Sequence, residues 1–202
     1  MTIVLILLLV NAAIGAFDTL YYHEFKAQLP HNLEHTKTEL QLHAARDGIY
    51  FFVYGVLAFW EVRGVFAIIL LLALAAEILI TLADFVVEDR DRGAIGGLAP
   101  GERIAHTVMA ITYGAMLAHL LPLVFAAVAE PTGLYRHGAS AAFSWPVAAA
   151  ALGIAVTGIR DFAALFGHLP ERHVQQAWQE REAWRCLAAH DNAPKLPACD
   201  GR

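Results

Sequence analysis

Stretches of about twenty almost uninterrupted apolar residues, the length a helix needs to cross the hydrocarbon of a bilayer, recur at Thr2 to Tyr22, Gly64 to Ala83, Thr107 to Ala129 and Gly138 to Ile159. A chain of 202 residues that commits this much of itself to such runs has few folds open to it. At 58% apolar and 16% charged, it lies outside the range of soluble domains, which are roughly half apolar and a quarter charged. The same balance excludes a disordered chain. The two cysteines, Cys186 and Cys199, are too few for a disulfide scaffold and are read as reduced residues without a functional role. A formal charge of −5 with no basic run among aromatics gives no footing for a nucleic-acid partner.

A fifth span is less obvious. Between Thr38 and Trp60 the second half is uncharged, whereas the first half holds Glu39, His43, Arg46 and Asp47, as a helix would if it opened onto a polar interior. The expected fold is therefore all-α and integral to the membrane, with five transmembrane helices. A transmembrane domain occupies residues 1–168, its last helix about 138–167, and a polar tail follows at 169–202. Within the tail, Val174, Ala177, Trp184 and Ala188 fall on one face at helical spacing, which suggests a short amphipathic helix, with a partly ordered tail as the alternative. The first segment lacks a basic leader and a small-residue cleavage site, so it is expected to be retained.

Five crossings put segments 23–37, 89–102 and the tail on one face, together with twelve of the fourteen Lys and Arg residues. By the positive-inside rule that face is cytoplasmic, which places the N-terminus outside and the C-terminus inside.

The chain also repeats itself. Asn11, Asp18 and Tyr22 are matched 66 residues later by Glu77, Asp84 and Glu88, and Glu39, His43 and Tyr50 are matched 63 residues later by Glu102, His106 and Tyr113. The units, about 2–60 and 64–129, are successive helical hairpins entering the membrane in the same direction. Helices one to four are expected to form a four-helix bundle from this duplicated hairpin. Within each helix the marked positions share a face, and helical rise places Asp18, His43, Asp84 and His106 at one depth. Tyr22, Glu39, Glu88 and Glu102 lie a turn nearer the cytoplasm, and Asn11, Tyr50, Glu77 and Tyr113 about two turns deeper.

An unpaired carboxylate in hydrocarbon costs at least about 2.5 kcal/mol, so a ring of acids requires compensation. Two divalent ions together with Arg46 would balance Asp18, Glu39, Asp84, Glu88 and Glu102 if all five were ionised. Hard oxygen donors mixed with imidazoles suit iron or manganese in a bundle core, with zinc as an alternative. The expected metal ligands are Asp18, Glu39, His43, Asp84, Glu88, Glu102 and His106, holding two transition-metal ions, iron foremost.

Across Asn11 to Tyr113 this pattern resembles the ferritin-like di-iron carboxylate architecture, in which four helices supply acids and Glu-His pairs to two metals. That resemblance implies di-iron chemistry in the bundle core. The departure is in spacing: those proteins use Glu-x-x-His, whereas Glu39/His43 and Glu102/His106 stand four residues apart, also a same-face spacing.

Other candidates are weighed singly. Glu77, the lone acid of an apolar span, is a ligand, a base or a proton-transfer station, with Asn11 opposite as a hydrogen-bond partner. Tyr50 and Tyr113 orient ligands or donate electrons, although packing with one satisfied hydroxyl is the slightly favoured reading. Arg46 offsets negative charge. His23, Glu24, Glu34 and His35 are read as a solvated loop at the cytoplasmic mouth, with an entrance or second metal site as the alternative. His119 receives no role.

The function expected first is a binuclear-metal oxidoreductase acting on a lipid-soluble small molecule, because a site between spanning helices is reached most easily by apolar substrates. Membrane lipid is a further partner, and the sequence does not identify the redox partner. A zinc-dependent membrane hydrolase and a proton-coupled or metal-ion transporter are the alternatives, and haem held between His43 and His106 ranks last.

Overall fold

The computed structural model describes residues 1–95 and 97–167. The expectations about the tail and its cysteines lie outside them. The described chain is mostly helical: α1 (Thr2–Phe17) runs on without a break into a π-helix (Asp18–Ala27), and a single turn (Leu29–His31) leads into α2 (Leu33–Leu57). After β1 (Trp60–Arg63) come α3 (Val65–Asp91), α4 (Pro100–Ala127), β2 (Gly133–Arg136) and α5 (Ala141–Leu165). Among the described residues four helical stretches are long and apolar enough to cross a membrane, Thr2–His31, Val65–Asp91, Pro100–Ala127 and Ala141–Leu165. α2 does not meet that measure, because its first half carries the charges of a polar interior.

The connections hold two opposite ends of the bundle in place. β1 and β2 pair antiparallel, with Trp60 opposite Arg136 and Arg63 opposite Gly133, so the α2–α3 and α4–α5 links lie at the same end. Gly64 follows β1 at a φ of +58°, and a Cβ there would meet the Thr132 backbone at 2.7 Å. At the other end Gln28 takes a left-handed conformation to stop the π-helix. Thr36 donates its hydroxyl to the Leu29 carbonyl (2.9 Å) and Asn32 its amide to the Ala27 carbonyl (2.7 Å). Those side chains satisfy backbone acceptors that lipid could not.

Packing departs from the expected bundle in one respect: α5 is part of the ring. α4 packs on α1, α1 also touches α5, α5 lies along α2, and α2 lies along α3. The circuit is completed only by a sparse contact between α3 and α4. α5 stands between α1 and α2, with Ser144, Val147, Ala151, Asp161 and Ala164 turned inward. Helices α1 to α4 thus do not close on themselves. Toward the β1/β2 end the interior is apolar, filled by Leu5, Leu8, Val53, Leu57, Leu70, Leu74, Met116 and Leu120. Toward the opposite end it is polar.

A close approach fixes α5 against α2. Thr157 donates to Asp47 Oδ2 at 2.8 Å, and one residue on, a Cβ built on Gly158 would lie 2.9 Å from Asp47 Cβ. Arg160 then ties α5 to the π-helix through Glu24 at 2.6 Å. Gly158→Val is expected to push the two helices apart and to cost about 1–3 kcal/mol, the usual penalty of overpacking, measured as a lowered melting temperature in detergent. An unchanged melting temperature would mean that α5 does not depend on this contact.

Candidate metal centre

The polar end is built from residues that helical geometry turns inward from α1 to α4. On an α-helix, residues five apart point about 140° from one another. In the wider π-helix that angle shrinks, and π segments occur often at functional sites. Because the chain is π-helical from Asp18 onward, His23 follows Asp18 into the interior and is 4% exposed. It does not lie in a solvated loop, as the sequence suggested.

Asp18, His23, Glu102 and His106 bring one donor atom each into a group whose atoms all lie within 4.8 Å of one another. His106 Nε2 is 3.0 Å from Asp18 Oδ2, and His23 Nε2 approaches Asp18 Oδ2 at 3.2 Å and Glu102 Oε1 at 3.5 Å. The buried Asp18 Oδ1 has no hydrogen-bond partner among the described residues. Buried polar atoms are seldom left unsatisfied, and an ion held about 2.1 Å from each donor could take that oxygen as well. The group can therefore hold a metal ion. Glu88 stands behind it, its Oε2 3.4 Å from His106 Nδ1. A carboxylate on the far nitrogen of an imidazole fixes the tautomer and the ring direction of a ligating histidine.

The second hairpin pairing mirrors the first. As Asp18 of the first segment meets His106 of α4, so Asp84 of α3 meets His43 of α2, with His43 Nε2 3.1 Å from Asp84 Oδ2. Arg46 donates to the same oxygen at 2.8 Å. The His43 ring stacks on His23, with centroids 4.7 Å apart. His43 and Asp84 thus adjoin the four-donor group without belonging to it.

Arg92, just past the end of α3, folds back into the interior and is 1% exposed. It donates to Glu39 through Nε (3.0 Å) and Nη2 (2.7 Å), and Nη2 also lies 2.9 Å from Glu102 Oε1 and 3.9 Å from Glu88 Oε1. Burial alone would make this cation easier to discharge. The carboxylates of Glu39, Glu102 and Glu88 reverse that and hold the guanidinium above the usual arginine range. Glu39 is therefore held by Arg92, which also bonds Glu102 of the four-donor group.

The deeper layer forms a separate polar node. Tyr50 donates to Glu77 Oε1 at 2.6 Å and Thr81 to the same oxygen at 2.7 Å. The Tyr113 ring packs 6.1 Å from that of Tyr50, and Asn11 is hydrogen-bonded to Thr112. Glu77 thus meets hydroxyl groups of α2 and α3, and Asn11 bonds within the α1–α4 contact instead.

Of the residues singled out in the sequence, Asp18, Glu102 and His106 enter the four-donor group, Glu88 backs it, and Glu39, His43, Arg46 and Asp84 surround it. Glu77, Tyr50 and Tyr113 lie apart. His23, which the sequence reads first as part of a solvated loop and only alternatively as part of a second metal site, and Arg92 are not among the expected ligands or catalytic residues. The i, i+5 spacing of Asp18 and His23 was the available signal for the first; for the second it was an arginine four residues beyond Glu88. No family model, curated protein or solved structure matches the chain.

Removing one partner of a buried ion pair leaves an uncompensated charge and typically costs 3–5 kcal/mol. Arg92→Met is expected to destabilise the protein by about 3–5 kcal/mol, read from thermal unfolding. Arg92→Lys, which keeps the charge but loses the fork, should fall between this variant and the wild type. A methionine variant as stable as the wild type would contradict the clamp.

Proposed function

We propose that the chain is an integral-membrane oxidoreductase in which Asp18, His23, Glu102 and His106 bind a redox-active divalent ion and act on a lipid-soluble small molecule. The observation that carries this reading is the convergence of two carboxylates and two imidazoles, from the first helical stretch and α4, on one buried point with an unsatisfied carboxylate oxygen. That donor mixture suits iron or manganese. Its position between apolar helices favours a substrate that partitions into the bilayer. Bound there, the ion would supply one-electron chemistry; Glu88 would orient His106, and Arg92 and Arg46 would hold the remaining acids.

One ion is favoured over the two that the ferritin-like pattern suggests. Arg92 and Arg46 already pair with Glu39 and Asp84 among the five nearby carboxylates; charge balance alone comes equally close to neutrality with one divalent ion or two, so the free ligands decide. A second ion would have to take Asp84 from Arg46 or Glu39 from Arg92. The di-iron arrangement remains the alternative on that condition.

In this reading α2 also crosses the membrane. Its 25 residues reach about 37 Å at helical rise, and it joins the two ends set by the β pair and the Pro30 turn. The polar end, which carries Arg90, Arg92 and Arg103, faces the cytoplasm by the positive-inside rule, leaving the N-terminus outside.

Protein purified without chelators is expected to contain about one iron or manganese per chain, with an electron paramagnetic resonance signal that changes on reduction and returns in air. His23→Ala and His106→Ala should each lose most of the metal, whereas His43→Ala should keep it. Equal loss in all three would enlarge the ligand set to include His43. Stoichiometric zinc, silent to reduction, would replace the redox reading with the hydrolase one, and metal-free wild-type protein would remove both.

A further inference from the structure

The five helices form a ring with one weak seam. Contacts run along α4–α1, α5–α2 and α2–α3, with α1 also touching α5, but α3 and α4 meet at few positions. The four-donor group sits between the first helical stretch and α4, and its His106 reaches the seam, where it meets Glu88 and Phe85 of α3. Asp18, His23 and Glu102 are fully buried and His106, on α4, is the member that is not.

On the α3 side of the seam His106 has an aromatic neighbour. Phe85 follows Asp84 on α3, a step around the helix from the acidic face. Its ring lies nearly parallel to the His106 imidazole, at 17° with centroids 6.0 Å apart, and Phe85 is itself 37% exposed on the outer surface of the ring of helices. Across the seam α4 offers little bulk. Ala110, one turn on from His106, is exposed, and a Cβ built on Gly114 would have nothing within 4 Å. The outer surface on both sides is apolar, with Leu82 and Val86 on α3 and Ile104 and Ile111 on α4 exposed.

We propose that Phe85 is the gate of a lateral entry between α3 and α4, through which a bilayer-dissolved molecule with a planar ring reaches the metal group at His106. This rests on the metal reading above. In this reading the route opens when the Phe85 side chain swings outward. The ligand class follows from what Phe85 leaves behind: the face of an imidazole, which another flat ring would cover in the same way. A polar molecule arriving from water would find Arg92 and its three carboxylates packed across the cytoplasmic side of the group, and the apolar core and the β pair on the other.

Two planar iron chelators of the same type test this: lipophilic bathophenanthroline, and its disulfonate, which does not enter lipid. The protein is loaded with ferrous iron in lipid nanodiscs, where both faces are open to water, and the ferrous chelate is followed by its absorbance. Wild-type protein should lose iron to the lipophilic reagent about tenfold faster than to the disulfonate. Phe85→Ala should speed the lipophilic reaction by about a further tenfold, in line with removal of one ring stack, while leaving the disulfonate rate and the iron content unchanged. Ala110→Trp, a change at an exposed position that fills the seam from the α4 side, should slow the lipophilic reaction and so keeps the test independent of how well Phe85→Ala folds. If iron is bound but both reagents strip it equally and neither substitution changes the rates, the gate is wrong while the metal site stands. Wild-type protein that takes up no iron overturns both.

Discussion

Carboxylates buried among apolar helices must be compensated, and every notable feature of the polar end follows from how that is done. Five acids, Asp18, Glu39, Asp84, Glu88 and Glu102, are each no more than 3% exposed. In low dielectric such charges persist only when paired and hydrogen-bonded. Arg92 reaches three of them from beyond the end of α3, and Arg46 takes a fourth from α2. Among the described residues Asp18 alone of the five has no arginine partner, and it faces His23 and His106. The four-donor group gathers around that acid, and a cation would complete the set.

The fold serves this arrangement by separating its two ends. Leucines and valines of α1 to α4 fill the half next to the β pair, where nothing needs a charge. The polar half is closed by backbone that departs from the α-helix, namely the π-helix of Asp18–Ala27 and the short turn that carries Arg92. Both departures bring into the interior a side chain that a continuous α-helix would not. α5 then supports α2 on the side away from α3 through Asp47 and Thr157, holding the helix that presents His43 and Arg46.

Much of this was legible in the sequence because it depended on α-helical periodicity. The 63- and 66-residue repeats place Asp18 near the depth of His106 and Asp84 near that of His43, and those pairs meet at 3.0 and 3.1 Å. What escaped depended on breaks in that periodicity. His23 turns inward because of the π-helix, whose wider turn leaves no mark in an i, i+4 pattern. Arg92 was assigned by position to a cytoplasmic connection, and a residue in a connection carries no helical phase from which its direction could be read. The place of α5 was also hidden, since Ser144, Thr157 and Asp161 are too few to mark an inward face on so apolar a helix.

The account stands or falls on whether imidazoles from two separate helices share one ion. Electron spin-echo modulation of the metal-loaded protein counts the imidazole nitrogens coupled to a paramagnetic centre. Two equivalent couplings are predicted, one disappearing on replacement of His23 and the other on replacement of His106. A bound ion with no imidazole coupling, or one whose coupling survives both replacements, would contradict it.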